Sequence, residues 1–128
     1  MKKIEYDKHP TKCNLCGGKV IYNWAVKEKS LSGFVYYCTE CHAWVGTHPV
    51  KKDEALGLLA DFDTRKARAN VHRWFDKLWH NHEEREMWYH KLAQEMNMEE
   101  CHFSQMNLEE LNQALDIIKK WWMQKYDI

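Results

Sequence analysis

Cys13-Asn14-Leu15-Cys16-Gly17-Gly18 and Cys38-Thr39-Glu40-Cys41-His42-Ala43 decide the fold. Each stretch holds two cysteines separated by two residues, and 21 residues lie between the pairs. Two thiolates at that separation can bind one tetrahedral ion from a single tight turn, at about 2.3 Å each. Gly17 and Gly18 let the backbone wrap the ion after the first pair, whereas His42-Ala43 follows the second, a less standard knuckle. The sequence between them suits a hairpin. Lys19–Val26 alternates, with Val20, Tyr22, Trp24 and Val26 on one face and Lys19, Asn23 and Lys27 on the other. A polar loop, Lys27–Gly33, leads to the aromatic and β-branched return strand Phe34–Cys38, and Ala43–Gly46 suits a third short strand. The pattern predicts a zinc ribbon with one structural Zn2+ on Cys13, Cys16, Cys38 and Cys41. Four thiolates fill the tetrahedron and leave no position for water.

Other readings of these cysteines are weaker. Met1-Lys2-Lys3 opens into charged residues rather than an apolar export signal, so a cytoplasmic location is expected. Disulfides do not persist there. A redox dithiol would precede a clear helix, which neither pair does. His42 or His48 could replace one cysteine as a ligand. His9, before Pro10, reads as a surface residue, and Cys101, which has no partner, as a small buried apolar one.

The 128 residues carry 19 basic and 19 acidic side chains, 45% hydrophobic content and only 5 Gly and 2 Pro. That size gives one domain, or two small units, and the composition excludes disordered and collagen-like classes. No apolar run is long enough to span a membrane. A net charge of zero argues against a non-specific nucleic-acid coat. The charge is unevenly placed: the first half of the chain is basic, and acid accumulates mainly after Asn81. Seven tryptophans and six tyrosines are unusually many.

Downstream the sequence turns helical. Pro49–Leu59 reads as a connector with one helical turn at most. Asp63 or Thr64 would cap a helix reaching about Trp79, with Ala67, Val71, Trp74, Phe75 and Leu78 on one face. A second helix spans about Glu83–Met96 and has Trp88, Tyr89, Leu92 and Met96 as its apolar side. A third covers about Leu108–Lys125. Asn107 and Glu110 are placed as a capping box, and Leu108, Leu111, Leu115, Ile118 and Trp122 form its stripe. Trp121 and Trp122 cannot share one stripe, so Trp121 reads as a protein contact if exposed.

Candidate chemistry is sparse. There is no phosphate loop, nucleophile elbow or helical zinc-protease motif. The adjacent string His80-Asn81-His82 does not make a nuclease motif, whose members are spread over a hairpin and helix. His72, Asp76 and His80 are spaced i, i+4, i+8 and could line one helix face as a metal-dependent nuclease site; a solvated polar face is the plainer reading. No small-molecule site is evident. The binding signal is stronger. Lys19, Lys27 and Lys29 flank Tyr22 and Trp24 on the ribbon, a combination suited to stacking bases and pairing phosphates. Lys66, Arg73 and Lys77 offer a second basic row.

Beyond the cysteine pairs, four further segments are distinctive: Val45-Gly46-Thr47-His48, Leu59-Ala60-Asp61, Arg65-Lys66-Ala67-Arg68 and His72-x-x-Phe75-Asp76-x-Leu78-Trp79, followed by Cys101-His102-Phe103. Over nearly its whole length the chain resembles the zinc-finger-containing domain family of bacteriophages and prophages of low-GC Gram-positive bacteria, a family without an assigned function. The resemblance implies zinc on Cys13, Cys16, Cys38 and Cys41 and a phage origin. It also draws attention to Arg65, Arg68, His72, Asp76 and Trp79, as a functional surface or as a structural brace.

The expected fold is therefore α+β: a zinc ribbon (1–49) and a connector (50–62), with the ribbon packed on a three-helix unit (63–128) and sharing its core. The expected function is non-catalytic nucleic-acid binding of phage type. The alternative is an adaptor or inhibitor that docks on a host or phage protein.

Overall fold

The computed structural model describes residues 6–24 and 32–126. Its order is β1 (Val20–Trp24), β2 (Phe34–Cys38), β3 (Trp44–Gly46), α1 (Phe62–Asp76), α2 (His82–Glu95), a short 3-10 turn (Phe103–Gln105) and α3 (Leu108–Tyr126). The fold class is α+β, as the sequence predicts. The chain divides into two compact units, with the boundary between Arg65 and Lys66 inside α1.

In the N-terminal unit the three strands form one antiparallel sheet in the order β1-β2-β3. Tyr22 pairs with Tyr36 and Trp24 with Phe34. The expected loop residues Lys27 and Lys29, and Val26 at the expected end of the first strand, lie outside the described residues. The stretch after β3 contains no helical turn. Its course is fixed by pairings of Thr47 with Ala55, around a turn closed by the Glu54 N–H on the Lys51 carbonyl at 3.0 Å, and of Trp44 with Ala60. Asn14 of the first cysteine turn adds a two-way clasp: its side chain donates to the Leu59 carbonyl at 3.0 Å and accepts from the Leu59 N–H at 2.9 Å. Ala55 and Leu59 thereby join Cys13, Val20, Tyr36, Cys38, Ala43 and Val45 in a small buried cluster.

The helices begin and end where side chains or backbone turns satisfy their free backbone groups. The cap of α1 is Asp61, two or three residues before the positions favoured by sequence. Its carboxylate accepts the Thr64 N–H at 2.9 Å. Hydrogen bonds from the Thr64 side chain and backbone hold that carboxyl below the usual carboxylate range. The helix stops at Asp76, short of Trp79, where the Leu78 N–H turns back to the Phe75 carbonyl at 2.9 Å. Asn81 caps α2 by accepting the Glu84 N–H at 2.9 Å, so His80-Asn81-His82 is a helix start. The end of α2 is a Schellman turn, with Asn97 at φ 55° and the Met98 N–H on the Ala93 carbonyl at 2.8 Å.

The capping box of α3 forms as expected: Glu110 N–H to Asn107 Oδ1 at 2.8 Å and Asn107 N–H to Glu110 Oε1 at 3.1 Å. Asn107→Ala is expected to cost about 1 kcal/mol, read as a lower Tm with unchanged far-UV CD at low temperature. The buried side of α3 differs from the expected stripe. Leu111, Ala114, Ile118 and Trp121 are buried, Leu115 and Trp122 are half-buried, and Leu108 is exposed. The stripe is rotated because Ala114 and Trp121 take positions that a Leu-and-Ile reading gives to Leu108 and Trp122. The expected faces of the other helices hold: Val71, Phe75, Leu78, Leu92 and Met96 are buried. The 98–106 connection adds Met98, Cys101, Phe103 and Met106 to this core.

Candidate metal centre and ribbon surface

Two turns of near-identical backbone present the four cysteines. In the first, the Gly17 N–H bonds the Cys13 carbonyl at 2.9 Å and the Cys13 N–H bonds the Gly18 carbonyl at 2.8 Å. In the second, His42 N–H to Cys38 carbonyl is 3.1 Å and Cys38 N–H to Ala43 carbonyl is 2.8 Å. Both turns need a left-handed residue just after the second cysteine. Gly17 has φ 76° and His42 has φ 68°. Glycine takes that conformation without steric cost; histidine does not. The Tyr37 hydroxyl hydrogen-bonds His42 Nδ1 and helps to hold the residue there. His42 is thus the structural counterpart of Gly17 rather than a replacement ligand. His48 is also engaged elsewhere, its Nδ1 accepting the Val50 and Lys51 N–H groups, both at 3.1 Å.

The sulfurs converge. Cys13 Sγ lies 3.7 Å from Cys41 Sγ and Cys16 Sγ lies 3.5 Å from Cys38 Sγ. All four lie within 4.8 Å of one another. Four sulfurs about 2.3 Å from one ion would stand about 3.8 Å apart in a tetrahedron. Backbone N–H groups point at the sulfurs: Leu15 to Cys13 at 3.3 Å, Gly18 to Cys16 at 3.3 Å, and Glu40 and Cys41 to Cys38 at 3.4 and 3.5 Å. Such donors favour thiolates. The Cys41 and Glu40 N–H groups bring the Cys38 thiol down to about 6. Cys41 is pushed up to about 12: the Ala43 N–H favours its thiolate, but lost hydration and the neighbouring Cys16 and Cys13 sulfurs outweigh it. Packed thiols share negative charge poorly, and a divalent cation at the centre removes the conflict. The donor set is that of one structural Zn2+, and no other group of metal-ligating side chains occurs among the described residues.

The aromatic residues of the ribbon form a ladder across β1 and β2. Trp24 stacks on Phe34 at 4.0 Å between centroids, and Phe34 lies nearly parallel to Tyr22 at 5.1 Å. Tyr22 meets the buried Tyr36 at 5.1 Å. Tyr22 is 42% exposed and Trp24 63%, while Phe34 between them is half-buried. Trp24 is the one exposed tryptophan of the seven. Lys19 is exposed just before β1.

The other candidates are placed as follows. Arg65 donates to the Ala60 carbonyl at 2.6 Å and lies 5.1 Å over the Trp44 ring. Arg68 donates to the Ser104 carbonyl at 2.9 Å. The Trp79 indole donates to Asp76 at 3.2 Å. Lys66, Arg73 and Lys77 are exposed, and Lys77 lies over Trp74 at 5.6 Å. His72, Asp76 and His80 do not form a metal cluster, because α1 ends at Asp76 and His80 leaves the helical register. His72 instead lies edge-on against Phe103 at 4.8 Å, where partial loss of hydration lowers its pKa from the ordinary histidine value. It lines a cavity of about 460 Å³ with Arg85, Tyr89, His90, His102 and Phe103, a grouping that helix spacing could not reveal. Cys101 is buried, which pushes its thiol up to about 12.

A three-stranded sheet carrying two cysteine turns on one tetrahedral site defines a zinc-ribbon protein. The zinc-finger-containing domain family model matches residues 9–121, and the chain belongs to that family. No curated protein and no solved structure matches the chain. No helix among the described residues is long and apolar enough to cross a membrane.

Proposed function

We propose that this protein is a zinc-stabilised binding module for single-stranded nucleic acid, of phage type and acting in phage DNA metabolism or transcription. Binding, not catalysis, is its task, and the host cytoplasm is its setting. The observation that carries this reading is the Trp24–Phe34–Tyr22 ladder with its exposed Trp24 end. A large flat ring left in water at the end of an ordered stack costs free energy that a partner can recover. A nucleobase can extend such a stack whatever its identity, while lysines pair with the flanking phosphates.

The test is titration of tryptophan fluorescence with single- and double-stranded DNA and single-stranded RNA at two salt concentrations. The expected result is a quench by single strands, with an affinity that falls steeply as salt rises. No change with any strand form at low salt would overturn the reading and direct the search to a protein partner.

A further inference from the structure

Tyr22 and Tyr36 are cross-strand partners, and both hydroxyls reach the same place. Tyr22 donates to the Lys52 carbonyl at 2.6 Å, and Tyr36 donates to the Asp53 carbonyl. Two neighbouring phenols therefore pin consecutive residues of one turn to the inner end of the ladder. The Tyr22 ring is committed on its other side to Phe34. Among the described residues the Trp24–Phe34 end is the more open part of the stack, and the pinned turn stands at its Tyr22–Tyr36 end. The turn is Lys51-Lys52-Asp53, and all three residues are exposed. Lys51 lies 4.0 Å from Glu54, and Asp53 lies 3.2 Å from His9. Lys52 pairs with no acidic group among the described residues. An aromatic platform with an exposed lysine at the other end of the same stack complements a base and its phosphate.

We propose that Tyr22 and Tyr36 are positioning residues that hold the Lys51–Asp53 turn at the inner end of the stack that Phe34 and Trp24 continue, and that Lys52 is the phosphate contact of this site. The inference rests on the single-strand reading and assigns different tasks within it. Trp24 stacks a base, Lys52 neutralises a phosphate, and the tyrosine hydroxyls fix the distance between them. Sequence alone gives Tyr22 a stacking role and passes over Lys52.

The test uses the zinc-loaded full chain and a short oligothymidine, with affinity measured across a salt series by anisotropy. Trp24→Ala is expected to weaken binding about 5- to 150-fold, the loss of one stacked base. Lys52→Ala is expected to reduce the log–log salt slope by about 0.7, the share of one phosphate on a single strand. Tyr22→Phe and Tyr36→Phe keep their rings and lose only the hydroxyl. Each is expected to reduce the slope in the same direction as Lys52→Ala while zinc content and Tm stay near wild type. A wild-type chain that binds while both Phe variants keep its slope and affinity would overturn the positioning role and leave the single-strand reading standing. An unchanged slope in Lys52→Ala would overturn the phosphate contact. A wild-type chain that fails to bind at low salt would overturn the reading and this inference together.

Discussion

Replacing Cys38 by serine is expected to release the zinc and unfold the ribbon. Cys38 is fully buried and its sulfur collects two backbone N–H groups. Serine keeps a proton on its oxygen at neutral pH and reaches less far, so three thiolates remain around an incomplete site. Zinc binding to such sites is worth about 10–16 kcal/mol near neutral pH, and that binding energy is folding energy. The apolar cluster of this unit offers little in reserve: Ala43, Ala55, Val20, Val45, Leu59 and Tyr36 are its buried side chains besides the cysteines. A fold of about 60 residues with a core of that size is marginal without the metal. Zinc content by elemental analysis should drop below one per chain, and the near-UV CD of the ribbon aromatics should collapse. Full zinc with an unchanged melting curve would show that Cys38 is not a ligand. Acid should act in the same direction, because protons compete with zinc for thiolates.

Trp121→Ala is expected to be nearly as damaging in the helical unit. Trp121 is 7% exposed and lies 5.3 Å from the Trp88 ring, with Lys91 over both rings at 5.2 and 5.0 Å. Truncating a buried tryptophan costs about 3–5 kcal/mol through lost contacts and the cavity left behind. That is a large part of the stability of a small domain, about 5–15 kcal/mol. Thermal or urea melting should show the loss directly. A loss below about 1 kcal/mol would instead make Trp121 a surface contact residue.

The metal centre was legible because its chemistry is local. Two thiolates in one turn need a fixed separation, and the separation is written in the chain. The hairpin followed from alternation, and the α3 cap from Asn107 and Glu110. The errors fall where local signals compete. Asp61, Asp63 and Thr64 are all good caps, and only Asp61 precedes the first turn that forms. Trp121 and Trp122 are neighbours on α3. Trp122 sends its indole N–H to the Trp74 carbonyl at 3.1 Å, and Trp121 takes the deeper place. Spacing in sequence does not decide between them. The helical face of His72, Asp76 and His80 assumed a helix that stops at Asp76. The Asn14 clasp on Leu59 and the phenol contacts to the Lys52 and Asp53 carbonyls join residues far apart in the chain. No periodicity announces them. His42 is the subtler case. The sequence marks the second turn as unusual, and the structure gives the reason: a histidine stands in a conformation that the first turn gives to Gly17.

One zinc, held by four cysteines, organises the ribbon. Native mass spectrometry of the purified chain, before and after treatment with a strong chelator, tests it most directly. The expected result is one zinc per chain, removed by the chelator together with the near-UV signal of the ribbon aromatics, and four newly reactive thiols, those of Cys13, Cys16, Cys38 and Cys41. A chain that carries no zinc, or that keeps its ribbon signal and protected cysteines after the metal is gone, would contradict it.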